Sequence, residues 1–245
     1  MGNDEKTCQV TLDNRESLQV DIVVLALGHF PASRPRIADM SFYDSQRYLH
    51  DPWDHARLDA IPARAPVMLL GTGLTTVDVA MTLLGRNPER QITAVSRRGL
   101  LPQHHRHTAG KPAEGLDAQS IWGDAITVRE QLSALRRFCR TLAEQGRDWR
   151  EALAILRHVT ADVWLVYSEK ERRRFLRHVQ PYWDTHRHRL APHVAERFSA
   201  ALAAGAVRTQ AGRIVNMQDD GDGVLVTLRP RGTDETQVLR AQYVI

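Results

Sequence analysis

Cysteine is scarce in this 245-residue chain, and what is missing narrows the field before any motif is read. Cys8 and Cys139 stand far apart with no C-x-x-C pattern, which excludes a disulfide scaffold and suits a reducing compartment. No apolar run is long enough to cross a bilayer, so no membrane partner is expected. The first residues, Met1 to Lys6, are polar and lack the apolar stretch of a secretory signal. A cytoplasmic protein is therefore expected. There is no G-x-S-x-G, no Cys/His dyad at a known spacing and no carboxylate pair, which argues against hydrolysis. Aromatic residues make up 6%, and no aromatic RNA-binding signature or Lys-rich tail is present. The formal charge of +4 comes from arginines spread along the chain, so nucleic acid is not an expected partner. If chemistry happens here, a cofactor performs it and the protein supplies position and charge.

What is present is one strong local pattern. Val67 to Leu70 is a short apolar run, Gly71 and Gly73 form a turn, and an amphipathic helix pattern begins at once. Strand, glycine turn and helix in that order aim backbone N–H groups and a helix end at one point, where a pyrophosphate can sit. Thr76 stands where the third glycine of G-x-G-x-x-G is usual. The bland alternative is a strand–helix turn without a ligand. The next apolar run, Ile92 to Val95, ends in Ser96-Arg97-Arg98, close to where an acid would hold the ribose of NAD. Arginine at that place pairs with a 2′-phosphate and favours NADP, with NAD the alternative.

Other segments place this unit in a larger α/β frame. Thr7–Leu12 and Leu18–Leu27 read as strands around a turn at residues 13–16, the second one buried on both faces as in a parallel sheet. Thr127–Gln145, Trp149–Val166, Glu169–His178 and Pro192–Ala204 read as helices. Strand chemistry returns at Val207–Met217, Val224–Leu228 and Gln237–Ile245, with a turn at residues 219–223. The run Glu169–Arg177 reads as a solvated helix face. His104, His105 and His107 sit in a polar loop, and no metal is expected there, because neighbouring histidines do not converge on one ion. Asp184, His186, Arg187, His188 and Arg189 gather cationic donors and one acid. They suit either anion or proton handling, or an exposed basic helix end.

Four stretches together resemble one family: residues 24–29 (VLALGH), 69–76 (LLGTGLTT), 96–102 (SRRGLLP), and 175–178 (FLRH) with 183–189 (WDTHRHR). They are similar to bacterial FAD/NAD(P)-binding proteins, a branch of the two-dinucleotide-binding-domain flavoproteins. The resemblance implies a FAD domain with an NAD(P) domain inserted into it. It places the NAD(P) fingerprint at Gly71, Gly73, Leu74, Thr75 and Thr76. It places Arg97 and Arg98 on the 2′-phosphate, and Gly28 where the chain passes close to the flavin. His186 and His188 become the candidates for substrate or proton handling.

No strand–G-x-G-x-x-G–helix for FAD lies in Met1 to Leu27, so the chain reads as an internal portion of a flavoprotein. The expected fold is α/β: a Rossmann-like NAD(P)-binding domain, a helical block, and flanking strands of an incomplete FAD-binding domain. The expected division is residues 1–35 for partial FAD-domain strands and 36–125 for the Rossmann-like unit and its loop. Residues 126–205 form the helical region, and 206–245 return toward the FAD domain. The expected function is the NADP-preferring part of a flavin-dependent oxidoreductase that passes hydride from NADPH to FAD and on to a small-molecule acceptor. A partner chain could complete the FAD site. The alternative is a non-catalytic dinucleotide-binding or partner-docking fragment.

Overall fold

The structure is a computed structural model that describes residues 8–26, 28, 32–107 and 115–245. The chain divides into two compact units, Met1–Ser33 and Arg34–Ile245. Leu27, His29 and residues 108–114 of the polar loop, which entered the sequence reading, lie outside the described residues.

In the first unit β1 (Cys8–Thr11) pairs antiparallel with β2 (Ser17–Val20), in register from Cys8 opposite Val20 to Thr11 opposite Ser17. The hairpin matches the turn read at residues 13–16. The strand expected to run on to Leu27 does not form: β2 stops at Val20, and Ile22, Val24 and Leu25 are 80%, 82% and 74% exposed. A two-stranded ribbon has no second layer, so among the described residues of its unit this apolar run has nothing to bury against.

The second unit is built on a six-stranded sheet in the order β7-β6-β5-β4-β3-β8. β3 (Val67–Leu70), β4 (Ile92–Ser96), the first half of β5 (Val207–Asp219) and β8 (Tyr243–Val244) run parallel. β6 (Val224–Pro230) and β7 (Gln237–Ala241) complete it as an antiparallel meander. β5 changes partner along its length: Val207–Ala211 pairs with β4, and Gly212–Asp219 with β6. Gly212 stands at the change, where a Cβ would lie 2.7 Å from the Arg229 carbonyl oxygen, so a side chain there would push the strands apart. The last segment, expected as one strand, is two. It breaks at Gln242, and β8 crosses to the opposite edge of the sheet beside β3. The strands after residue 206 thus belong to the same sheet as the glycine turn.

Alternation along the strands supplies two cores. Val67, Leu69, Ile92 and Ala94 face Val77, Ala80 and Leu83 of α2 (Leu74–Arg86), Leu58 of α1 (His55–Ala60) and Phe198 of α9 (Pro192–Ala203). Met68, Val95 and Val244 face the other way, with Met217, Val226 and the aromatic group Phe42, Tyr43 and Tyr48. The helical block has a small core of its own, Ile121, Leu142, Ala152 and Leu156. Its longest helix, α4 (Val128–Glu144), starts where the sequence suggests, with Thr127 and Glu130 forming a capping box. The segment read as one helix from Trp149 to Val166 is two, α5 (Arg150–Arg157) and α6 (Thr160–Val166). Ala152 and Leu156 are buried while Leu165 and Val166 are exposed, so one continuous apolar stripe is not used.

These burial differences set the stability response. Leu83→Ala, at a position with 0% exposure, is expected to cost about 2–5 kcal/mol in urea unfolding. Val24→Ala is expected to change it by less than about 0.5 kcal/mol. A large loss at Val24 would show that the run is buried.

Candidate functional site

Two turns leave the sheet on the same edge, and they are tied together. β3 and β4 pair in register from Val67–Ile92 to Leu70–Val95, so both strands end at one level. The chain leaves β3 through Gly71, whose φ of 127° is open to glycine, and whose N–H still donates to the Val95 carbonyl (2.8 Å). Thr72 follows and is buried. Its hydroxyl lies 2.8 Å from Ser96 Oγ and donates to the Leu100 carbonyl at 2.5 Å. Ser96 Oγ in turn accepts from the Gly99 N–H (2.9 Å). Gly99 has φ 64° and lies against Ala211 of β5, where a Cβ would sit 3.1 Å from the alanine side chain. The glycine turn, the turn after β4 and β5 therefore hold one another.

Gly73 is the N-cap of α2 and offers no side-chain cap, so the first-turn N–H groups, including those of Leu74 and Thr75, face outward without a side-chain acceptor. A Cβ on Gly73 would meet nothing within 4 Å, which places open space where the helix begins. Thr76, at the third position of the fingerprint, is buried and fills space beside Gly71, its Oγ1 3.6 Å from where a Cβ on that glycine would stand. Asp78 is exposed and lines neither of the cavities beside the turn.

The first of these cavities, about 190 Å³, is lined by Thr72, Gly73, Ser96, Arg97, Arg98 and Thr185, among others. The second, about 620 Å³, shares Arg97 and Arg98 and adds Arg177, His178, Tyr182 and Arg231. Among the described residues, no carboxylate lines either one. Arg97 is exposed, and no ion pair or hydrogen bond engages its side chain among the described residues; the same holds for the side chains of Arg177 and Arg231. Arg98 is engaged: it donates to the Arg177 carbonyl at 2.8 Å and stands 5.3 Å over the Tyr182 ring.

Of the residues singled out in the sequence, Gly73, Arg97 and Arg98 line these cavities, while Gly71, Leu74, Thr75 and Thr76 flank Gly73 in the turn and the start of α2 and do not line them. Gly28 lies in the other unit, with φ 73°. His186 and His188 do not line the cleft. His186 belongs to α8 (Gln180–Arg187), donates from Nδ1 to the Tyr182 carbonyl (2.7 Å), and meets the Trp149 ring edge-on at 4.9 Å. The basic stretch that contains them has a structural use. Leu190 donates to the Gln103 carbonyl and accepts from the His105 N–H, forming a short bridge to His104, and Arg150 clamps the His104 carbonyl. Burial, with the cations Arg189 and Arg150 beside it, pushes the His105 imidazole below its ordinary pKa. The run Glu169–Arg177 is also not a plain solvated face. Glu171 is buried and accepts from the first N–H of α4, at Val128 (2.9 Å), while pairing with Arg174 (2.6 Å). Arg177 and Arg231 escape a sequence reading because they reach the cleft from distant elements; Pro181, inside a helical pattern, is the one local sign of an unusual turn.

The hydroxyl of Thr72 gives a direct check. Thr72→Val keeps the shape and removes the tie between the two turns. It is expected to cost about 1–3 kcal/mol in denaturant unfolding, the range for leaving buried partners unpaired. A neutral effect would mean the turns hold without it.

No family model and no curated protein matches this chain. Solved structures do. L-lysine 6-monooxygenase from Pseudomonas syringae aligns with TM-score 0.55 and 16% identity, over 97% of this chain and 47% of its own. The ornithine N-hydroxylase of Kutzneria sp. 744, solved with reduced FAD, NADP+ and L-ornithine, aligns with TM-score 0.49 and 13% identity, over 97% of this chain and 48% of its own. The chain spans about half the length of these proteins. Its fold is that of about half of the L-lysine 6-monooxygenase structure.

Proposed function

We propose that this chain is the NADP-binding portion of a flavin-dependent oxidoreductase. The observation that carries the proposal is a pair of cavities that share Arg97 and Arg98, one beside the bare N-terminus of α2 and the other lined also by Arg177 and Arg231, with no carboxylate among their described lining residues. A dinucleotide phosphate has matching chemistry. Its pyrophosphate is an anion for the N–H groups of Leu74 and Thr75 above Gly73. Its 2′-phosphate is a second anion, suited to the planar fork of arginine at Arg97 and its neighbours. The residues present fit that group, because Gly73 leaves room for it and the cleft offers donors without competing acids.

FAD does not fit the same residues. Among the described residues, one strand–glycine turn–helix junction exists, and it is the one assigned to NADP. In this proposal Gly28 allows a close backbone approach to the flavin nucleotide, and the remainder of the FAD site comes from elsewhere in a longer protein or from a partner chain. With both groups in place, the chemistry supplied is hydride transfer from the reduced nicotinamide to FAD, and then electron delivery to a small-molecule acceptor or oxygen. What this chain contributes is binding, orientation and charge. The cleft lies wholly within residues 34–245, which also favours a second reading: dinucleotide binding without turnover by this chain alone.

Calorimetric titration of the chain with NADPH and NADH in parallel, with and without FAD, tests the proposal. Selective NADPH binding that persists without FAD is expected. Arg97→Glu is expected to weaken NADPH by ~1–3 kcal/mol and leave NADH nearly unchanged. Gly73→Val is expected to abolish binding of both, by filling the open space over the helix end. Equal weakening of the two cofactors by Arg97→Glu would remove the NADP assignment. Unchanged binding by Gly73→Val would move the ligand elsewhere.

A further inference from the structure

The helical stretch that flanks the cleft is continuous from Glu169 to Arg187 but not uniform. α7 (Glu169–Arg174) gives way to one π turn, Phe175–Val179, before α8 begins. In the wide turn the Gln180 N–H reaches back five residues, to the Phe175 carbonyl. Such single π turns often mark functional positions. Pro181 sits one residue further on. In a regular α-helix, the N–H of residue 181 would serve the carbonyl four residues back, that of Arg177. Proline has no N–H to give. The Arg177 carbonyl accepts from Arg98 Nη2 instead, at 2.8 Å, and Arg98 Nη1 makes a longer contact of 3.4 Å with the His178 carbonyl. The same guanidinium packs over the ring of Tyr182.

We infer that Arg98 is a positioning residue: by supplying the donor that Pro181 lacks, it holds the π turn so that Arg177 joins Arg97 and Arg231 as the set that selects a ribose 2′-phosphate. This rests on the nucleotide reading proposed above and divides the labour of the adjacent arginines. Arg97 has no partner among the described residues and is free to meet an anion. Arg98 is engaged with backbone carbonyls and an aromatic face. Arg177 and Arg231 come from a helix and from the strand-rich end of the chain, and both residues line the 620 Å³ cavity with Arg97. A lysine at position 98 would keep the charge but not the planar fork that spans two carbonyls.

The test is calorimetric titration of the full 245-residue chain with adenosine 2′,5′-bisphosphate and, in parallel, 5′-AMP. The unmodified chain should favour the bisphosphate. Arg97→Ala and Arg177→Ala should each weaken the bisphosphate roughly tenfold or more while 5′-AMP is retained, which also shows that the variants fold. Arg98→Ala should match Arg177→Ala, and Arg98→Lys should not restore the loss. The double variant should lose no more than Arg177→Ala alone, because both changes remove the same contact. In a Pro181→Ala background, where an N–H at 181 is regained, Arg98→Ala should lose less. Additive losses, or restoration by lysine, would make Arg98 a direct phosphate ligand and overturn the inference while leaving the nucleotide reading in place. An unmodified chain that binds neither probe, or both equally, would overturn the inference together with the NADP reading.

Discussion

The parallel register of β3 and β4 decides where every group in the cleft falls. Because Leu70 lies beside Val95, the chain turns out of both strands at the same height, and Gly71 to Gly73 meet Ser96 to Gly99 across one edge of the sheet. Parallel strands leave their carboxyl ends exposed on one edge, and ligands of open α/β sheets bind there. A slip of one residue would turn Met68 toward α2 and Leu69 toward the aromatic core, reversing both buried faces at once. The packing that fixes the register therefore also fixes the site. Thr72 adds the local part: a buried hydroxyl that needs partners, and finds them in Ser96 and in Leu100.

Much of this architecture is written locally, and the parts that are not share a physical cause. The change from a short apolar run through glycine to a helical period is legible because it depends on residues within one unit of chain. The start of α4 is legible for the same reason, since Thr127 and Glu130 cap each other across one turn. The run Ile22–Leu25 is not. Its composition says that it prefers burial, but burial depends on a second surface, and within its unit the hairpin offers none. The split between β7 and β8 is equally hidden, because only the topology of the sheet makes Tyr243 pair with Val67. At the site, Arg97 and Arg98 are adjacent in sequence and differ in environment. The difference arises because Arg98 meets a carbonyl 79 residues away, one whose usual helical donor position is occupied by Pro181.

Several arginines outside the cleft are matched to acids. Arg47 pairs with Asp219, and Arg106 with Asp148 and Glu151. Arg147 also pairs with Glu151, and Arg240 with Asp220. Burial works against the carboxylates of Asp148 and Glu151, but their arginine partners and hydrogen bonds hold both below the usual range. Matched pairs of this kind stitch loops to helices and leave little net field. In the cleft, Arg97, Arg177 and Arg231 line one cavity with no acid among its described lining residues. What sets these three guanidinium groups apart is that they surround one cavity.

Unmatched like charges repel, and at physiological salt that repulsion is screened beyond about 8 Å. Within a cavity of this size, screening is incomplete, so holding the cations together requires other forces. The described structure supplies them through backbone and packing rather than through counter-ions. Arg98 is fixed by two carbonyls and a tyrosine ring, Arg177 by the π turn it belongs to, and Gly99 by its seat against Ala211. None of these contacts needs an acid, so none would compete with a bound phosphate. An anion entering such a site meets donors that are already placed, and its binding relieves a repulsion that the fold otherwise sustains. That combination favours a doubly charged phosphomonoester over a neutral ribose, because each added negative charge gains from the same fixed set of donors. The preference for NADP over NAD in the proposed function is thus a consequence of how the cations are held as well as of which residues they are.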